Sequence, residues 1–179
     1  MGDPRGVGPE ITLKALSVLL KEKDNWEYVI YGNPFLLEKL DEKLDICCPL
    51  NHVTLEDTSV SLRDSPALNA ISWIEAGASA CLSGKAAALV TAPISKEETI
   101  RAGYNNFTGQ TEFLAEYSKA PHPVMMLLGT GPEGEWLRIA LVTTHLPLSQ
   151  VATSLTIFKI ENAIRLASDA CKRLKLKRC

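Results

Sequence analysis

The sequence predicts an α/β fold in which a mostly parallel sheet, with one or two antiparallel neighbours, is covered by helices on both faces. Short apolar runs alternate along the chain with longer segments whose apolar residues recur at helical spacing. Strands that are apolar throughout are typical of sheets buried on both faces, and such sheets are mostly parallel. The chain has 179 residues, of which 46% are hydrophobic and 22% charged, which is typical of a globular protein with a real core.

Apolar residues at helical spacing, together with proline or hydroxyl residues at several starts, predict six helices. Leu37, Leu40 and Leu44, for example, lie on one face of the second helix. Thr156 is placed to cap the last one. The predicted helices cover residues 9–21, 34–44, 66–83, 96–102, 109–117 and 156–175.

Five short segments are predicted to be strands. One of them, near residues 53–55, lies in a stretch that is otherwise difficult to assign. A short, turn-rich segment at residues 129–135 (GTGPEGE) joins the last two, which are therefore predicted to form an antiparallel hairpin. The strands are predicted at residues 27–31, 53–55, 86–91, 124–128 and 137–143.

Composition excludes several classes of protein. Nineteen basic and 21 acidic residues give a net charge of −2, so no global charge favours nucleic acid or an anionic membrane. No apolar run approaches the roughly 18–20 residues that a membrane span needs, and the first residues do not resemble a signal peptide. Five cysteines without a framework spacing predict reduced thiols and no structural zinc. We therefore expect a cytoplasmic protein.

The first motif is a glycine-rich loop at residues 2–10 (GDPRGVGPE), which runs directly into a predicted helix. Glycine lets backbone N–H groups converge, and a helix N-terminus favours an anion, so the loop could cradle a phosphate or carboxylate. A flexible turn that merely starts a helix is the alternative. The glycines alone favour that alternative, because no strand precedes them as a dinucleotide fingerprint requires. Asp3 and Arg5 add charges of both signs.

The second motif, residues 91–96 (TAPISK), follows a predicted strand. Ligands of open α/β sheets bind outside the carboxyl ends of strands. Lys96 is therefore a candidate to pair with a phosphate or to steady a developing oxyanion. An ordinary surface lysine in the first turn of a helix, beside Glu97 and Glu98, explains the pattern equally well.

The third motif, residues 107–112 (FTGQTE), places polar side chains at another predicted helix start. Taken alone, it is best explained by helix capping from Thr108, with Glu112 as a surface charge.

The fourth motif, residues 143–148 (TTHLPL), places His145 after an apolar strand and before a proline-bounded helix start. That is a site position in this fold class, where imidazole can ligate a metal or act as a base. One histidine does not make a metal site, and His52 and His122 are given no role.

Taken in this order, the motifs resemble one family. The chain is similar to 4-hydroxythreonine-4-phosphate dehydrogenase, an enzyme of pyridoxal phosphate biosynthesis, and to its close paralogues. The resemblance is carried by residues 2–10 (GDPRGVGPE), 91–96 (TAPISK), 107–115 (FTGQTEFLA) and 137–148 (LRIALVTTHLPL). Each motif is weakly specific, but the combination spans nearly the whole chain and is highly specific.

The resemblance implies a three-layer fold like that of isocitrate and isopropylmalate dehydrogenases, and a homodimer whose cleft takes residues from both chains. It implies that NAD, or NADP, oxidises 4-phosphohydroxy-L-threonine, a small phosphorylated hydroxy acid, to a β-keto acid that loses carbon dioxide. It also implies a divalent metal such as zinc, magnesium or cobalt, held by three histidines. Such a metal polarises the alcohol oxygen and stabilises the alkoxide and the later enolate.

By this resemblance, His145 matches the first metal-ligand histidine, and Gln110 and Thr111 match a substrate-binding His-Thr pair. Gln110 is a departure, because glutamine hydrogen-bonds a substrate oxygen but does not titrate. The departure favours, as an alternative, a paralogue that acts on a four-carbon sugar-acid phosphate or a dihydrodiol. Lys96 matches a family motif and is expected near the substrate. The cofactor-binding and catalytic residues are left open.

Length is the second departure, because the family's two other metal-ligand histidines lie in a C-terminal stretch. We therefore expect residues 1–179 to be one incomplete α/β dehydrogenase region, from a fragment or from a truncated or frameshifted gene, and to be inactive by itself. A hypothesis from another class is a non-catalytic α/β domain that only associates, with itself or with an intact homologue. A half-built sheet exposes edges and apolar patches, which favour association.

Overall fold

The computed structural model describes residues 1–22, 26–58 and 65–176. The chain divides into two compact units, Met1–Lys119 and Ala120–Cys179, which are described separately below as the first and the second unit.

The first unit contains five α-helices and a parallel pair of strands among its described residues. Their starts follow the predicted signals: prolines stand in the first turns of α1, α2 and α3, and Asn33 and Ser65 cap α2 and α3 through their side chains. The elements are α1 (Gly8–Leu19), β1 (Val29–Tyr31), α2 (Pro34–Leu44), a 3₁₀ turn (Leu50–His52), β2 (Thr54–Glu56), α3 (Pro66–Leu82), α4 (Lys96–Arg101) and α5 (Gln110–Tyr117).

The core of the first unit is built from the apolar faces of its helices. One cluster is formed by α1, α2 and β1, where Leu13 and Leu37 are fully buried around Ile30. The helix α3 buries Ile71 and Trp73 almost completely. At about 25 cal/mol per Å² of apolar surface, side chains of this size each contribute on the order of 2 kcal/mol. The strands β1 and β2 pair in parallel with Ile30 opposite Leu55, which confirms the predicted β/α character.

The strand predicted at residues 86–91 is wrong. The segment is irregular and forms no strand. The Val90 side chain is 92% exposed, so nothing covers it as a buried sheet would require. Its alanines have little strand preference, and a strand is stable only where a partner satisfies its backbone. Leu89 instead packs against the helix α3, where a Cβ on Gly77 would lie only 2.6 Å from its Cδ1. The run was apolar because part of it covers a helix.

The second unit contains an antiparallel hairpin followed by two helices. The strands β3 (Met125–Thr130) and β4 (Trp136–Leu141) pair in register from Met125 opposite Leu141 to Thr130 opposite Trp136, which confirms the predicted hairpin. The helices are α6 (Leu148–Ser154), which begins after Pro147, and α7 (Ile157–Arg173). The hydroxyl of Thr156 accepts from the Lys159 N–H at 3.2 Å, so the predicted cap is confirmed.

Across the described residues, each sheet has two strands: β1–β2 is parallel and β3–β4 is antiparallel. The α/β class is confirmed. Among the described residues, no helix is long and apolar enough to cross a membrane. Cys47, Cys48 and Cys81 are free thiols, as predicted, and Cys179 lies outside the described residues.

Candidate functional site

The glycine-rich loop is pressed against the 91–96 segment. Gly2 is buried with φ +76°, and a Cβ at this position would lie 2.5 Å from the Pro93 carbonyl oxygen and 2.9 Å from the Ala92 Cβ. The Asp3 N–H donates to the Pro93 carbonyl at 3.0 Å. Gly8, where α1 begins, is equally confined, since its Cβ would lie 2.5 Å from the Met1 carbonyl oxygen. Two of the glycines therefore permit a close backbone approach, which a merely flexible turn would not need.

Asp3 shapes this loop from within. It is 7% exposed, and one carboxylate oxygen accepts from the Arg5 N–H at 2.9 Å. The Gly6 N–H donates to the Asp3 carbonyl at 3.0 Å, which closes the next turn. A short side chain that bonds backbone two residues on is typical of an Asx-turn. The Asp3 carboxylate is thus a structural group of the loop.

Arg5 ties the loop to the helix α4. Its Nη2 donates to Glu98 Oε2 at 2.9 Å, and Glu98 also accepts from Arg101 at 2.7 Å. These hydrogen bonds lower the pKa of the Glu98 carboxyl, and the bond from Arg5 has the larger effect. The same Arg5–Glu98 bond is the main cause that raises the pKa of Arg5. The pair is solvent-exposed, so we expect its effect to be positional more than stabilising.

Lys96 is the first residue of α4 and is exposed. The preceding Ser95 caps the helix, because its hydroxyl accepts from the Glu98 N–H at 3.3 Å. Within the described part of the chain, Lys96 forms no ion pair, whereas its neighbours Glu97 and Glu98 pair with Arg101. Its ammonium group is available to an external anion, and both interpretations of the motif remain open.

Gln110 connects the third motif to the second. Its Nε2 donates to the Ala92 carbonyl at 2.9 Å, so the start of α5 is held against the same turn that the glycine loop contacts. Thr111, the next residue, is exposed. The predicted cap from Thr108 is wrong: the N-cap is Gly109, which has no side chain, because the helix begins one residue later than a Thr108 cap requires. The sequence carried no signal that the Gln110 amide would serve as this clip.

His145 lies in the second unit, between β4 and α6. It is exposed and adopts a left-handed backbone conformation with φ +58°. Asp45, Cys47, Lys119 and Lys175 adopt the same conformation, so it does not by itself mark a functional site. No group of three His, Cys, Asp or Glu side chains in residues 1–22, 26–58 and 65–176 is arranged to hold a metal ion. His145 therefore offers one imidazole and not a complete metal site.

Three of the four motifs thus meet within the first unit, around the Ala92–Pro93 turn. Lys96 belongs to the second of these motifs, and Gln110 and Thr111 belong to the third. Sequence analysis missed Glu98 as the partner of Arg5. The available signal was the cation Arg5 in a glycine loop, which predicts a carboxylate nearby; the sequence offered Asp3 and gave no indication of Glu98.

Comparison with known proteins gives a consistent result. Residues 23–179 match the family model described as pyridoxal phosphate biosynthetic protein PdxA. Three similar curated proteins are each named 4-hydroxythreonine-4-phosphate dehydrogenase. One from Synechococcus sp. (strain RCC307) is 33% identical, over 98% of this chain and 56% of the relative. One from Burkholderia vietnamiensis is 35% identical, over 96% and 55%. One from Vibrio cholerae is 33% identical, over 92% and 53%. The chain spans about half the length of the curated relatives it matches.

Proposed function

This chain belongs to the family of the pyridoxal phosphate biosynthetic protein PdxA, and from that premise we propose that it supplies the substrate-binding part of a 4-hydroxythreonine-4-phosphate dehydrogenase. The observation that carries the proposal is the meeting of three motifs at the Ala92–Pro93 turn. Sequence segments far apart in the chain are clamped together there. The clamp holds Lys96 and Thr111 on neighbouring helix starts.

The side chains at this turn suit a phosphorylated hydroxy acid. Lys96 offers a cation for the phosphate, and the N-terminus of α5 offers backbone N–H groups that favour an anion. Thr111 can donate to or accept from a substrate hydroxyl. The Nε2 of Gln110 is used by the Ala92 carbonyl, whereas Oε1 has no partner among the described residues and can accept from a substrate hydroxyl.

The redox cofactor of the proposed reaction is NAD, with NADP as the alternative, and when bound it would supply the hydride acceptor for oxidation of the secondary alcohol. The implied divalent metal does not fit this chain's described residues alone, since His145 is a single ligand. We propose that the active protein is a cytoplasmic homodimer with the three-layer fold of isocitrate and isopropylmalate dehydrogenases, and that the 179-residue chain by itself does not turn over.

Two assays test this proposal. The chain alone, mixed with 4-phosphohydroxy-L-threonine, NAD and a divalent metal, is expected to form no NADH above background, and robust turnover would contradict the predicted inactivity. A chimera in which residues 1–179 replace the matching segment of the Synechococcus relative is expected to form NADH. In it, Lys96→Ala should raise KM by about 10-fold or more, because a charged hydrogen bond is worth about 1.5–3 kcal/mol. The matched control is Lys14→Ala, on the exposed side of α1.

A second candidate keeps the chemistry and changes the substrate, and Gln110 favours it. Glutamine in place of the family's histidine can hydrogen-bond a hydroxyl of a four-carbon sugar-acid phosphate or a dihydrodiol, but it does not titrate. The chimera and its Gln110→His variant are to be compared on all three substrate classes. A clear preference of the unmodified chimera for 4-phosphohydroxy-L-threonine eliminates this candidate.

A third candidate is a non-catalytic protein that associates, favoured by the apolar side chains that the hairpin exposes, such as Leu128 and Trp136. Size-exclusion chromatography with light scattering should then find dimers or larger species. Leu128→Lys is expected to shift them toward monomer, whereas Val90→Lys, at a still more exposed position of the first unit, is not. A clean monomer at high concentration would contradict association.

A further inference from the structure

A groove of about 490 Å³ lies in the first unit beside the helix α5, apart from Lys96, Gln110 and Thr111. The loop at residues 103–108 forms one side of it and α5 forms the other. Its volume is within the range of sites that bind small molecules. Its chemistry comes from four aromatic rings and two carboxylates: Tyr104, Phe107, Phe113, Tyr117, Glu112 and Glu116.

The aromatic rings form one continuous group around Phe113. Its ring centroid lies 6.2 Å from Tyr104 in an edge arrangement, 6.0 Å from Phe107 and 6.4 Å from Tyr117, with which it stacks. Phe107 is buried and Tyr117 is 38% exposed, so the group runs from the interior to the surface. Burial is the main cause that raises the pKa of Tyr104, so its phenol remains neutral at physiological pH. The groove is therefore lined by a continuous set of aromatic rings that extends from the interior to the surface.

The two carboxylates lie on the same stretch of α5. Glu112 and Glu116 are one helical turn apart, next to Phe113 and Tyr117, which repeat at the same spacing. Neither carboxylate forms an ion pair with any described residue, and no lysine, arginine or histidine lines the groove. The side chains that line the groove therefore carry a net negative charge, which the positive N-terminus of α5 offsets in part at Glu112 and leaves uncompensated at Glu116.

We propose that this groove binds a small organic cation, an alkylated ammonium group on a short carbon chain. Aromatic faces attract a cation through their quadrupoles, and they attract a weakly hydrated alkylammonium most effectively because its desolvation costs little. The carboxylates at the rim supply the complementary charge. A neutral apolar ligand would leave both carboxylates unused. A metal ion is disfavoured because no group of three His, Cys, Asp or Glu side chains among the described residues is arranged to hold one.

The first experiment compares two probes on the full chain. Choline and its neutral isostere, in which carbon replaces the quaternary nitrogen, are titrated into the isotope-labelled protein while NMR follows the backbone amides of Asn105, Asn106 and Thr108. Choline is expected to bind saturably and about 5-fold or more tighter than the isostere, which is the size of one cation–π contact. Equal affinities, or no saturable shift with choline, would overturn the proposal. So would competition by calcium at lower concentration than choline, which would make the groove a metal site.

Surface variants test the assignment of residues. Glu116→Gln and Glu112→Gln should each weaken choline about 2–5-fold and leave the isostere unchanged, and added salt should reduce this difference. Tyr117→Leu should weaken choline by a similar factor through its ring. Matched controls outside the groove are Glu38→Gln and Phe35→Leu, both exposed on α2. Circular dichroism checks that all five variants fold, and equal effects of control and groove variants would refute the proposed site.

Discussion

The two units of this chain differ in how they bury their apolar residues. In the first unit Trp73 is 1% exposed and Leu13 and Leu37 are fully buried. In the second unit Trp136 is 63% exposed, and among its described residues the buried apolar side chains are those of Ala163 and Cys171. Both units contain regular helices, some with side-chain N-caps, and strand pairs in a defined register. Good local structure is therefore not a measure of how much core a region has.

The difference follows from what the apolar pattern of each segment requires. In the first unit, helices carry their apolar faces toward one another and toward β1. In the second, the hairpin exposes Leu127, Leu128 and Ile139 to solvent, and α7 covers part of β4 without closing over the sheet. A hairpin with an apolar face is only marginally stable until another surface covers it. The hairpin of the second unit therefore has the apolar side chains of a buried sheet, but it exposes many of them to solvent, as an interface does before its partner binds.

The largest expected effect tests this contrast directly. Leu37→Ala in the first unit should lower the free energy of unfolding by about 2–5 kcal/mol, the usual cost of emptying a fully buried leucine site. Leu128→Ala in the second unit, where the side chain is 57% exposed, should cost less than about 1 kcal/mol. Urea unfolding followed by circular dichroism measures both. Equal losses would show that the second unit is as well packed as the first.

A second prediction concerns the glycine loop, which fixes the clamp of the first unit. Gly2→Ala and Gly84→Ala each add a methyl group to a residue with a φ of +76°. The new Cβ at Gly2 would lie 2.5 Å from the Pro93 carbonyl oxygen, whereas the new Cβ at Gly84 would have no atom within 4 Å. The left-handed conformation should cost each variant about 1 kcal/mol. The steric conflict should add about 1–3 kcal/mol to Gly2→Ala alone. Thermal unfolding checks the difference, and similar stabilities would mean that the loop is free to move away from Pro93.

The elements of this fold were largely predictable because their signals are local. Asn33, Ser65 and Thr156 fix helix starts by accepting a hydrogen bond from the first turn, and prolines follow two of them. The GTGPEGE connection fixes the hairpin. The segment 86–91 was not predictable, because its apolar run is covered in part by the preceding helix α3 and not by neighbouring strands. Periodicity shows that a residue needs cover and not which element supplies it.

The motifs of the candidate region could be recognised in the sequence, but the contacts that join them could not be predicted. The four motifs named the residues, but the clip from Gln110 to the Ala92 carbonyl and the bridge from Arg5 to Glu98 join positions 18 and 93 residues apart. No local rule links such positions. Thr108 shows the converse error, where a capping rule applied correctly at one position fails because the helix starts at the next.

The clip from Gln110 gives a third, smaller prediction. Gln110→Ala removes one hydrogen bond to a partly buried carbonyl and should lower the unfolding free energy by about 0.5–1.5 kcal/mol. Thr111→Ala, one residue along the same helix and exposed, should stay within about 0.5 kcal/mol of the unmodified chain. Urea unfolding of both variants separates a structural role of Gln110 from a role in binding alone. If both leave stability unchanged, Gln110 does not hold α5 against the turn.

The smallest expected effect is the pH dependence of the Arg5–Glu98 bridge within the first unit. Because the hydrogen bonds from Arg5 and Arg101 lower the pKa of Glu98 in the folded state, the ionised carboxylate stabilises that state. This contribution is fully present above the ordinary glutamate pKa and is lost as the pH falls through the lower, folded value. Glu98→Gln should therefore reduce stability slightly at neutral pH and not at strongly acidic pH, and salt should shrink the difference. Thermal unfolding of this variant and of Glu38→Gln across that pH range measures it, and a difference that grows as the pH falls would contradict the bridge.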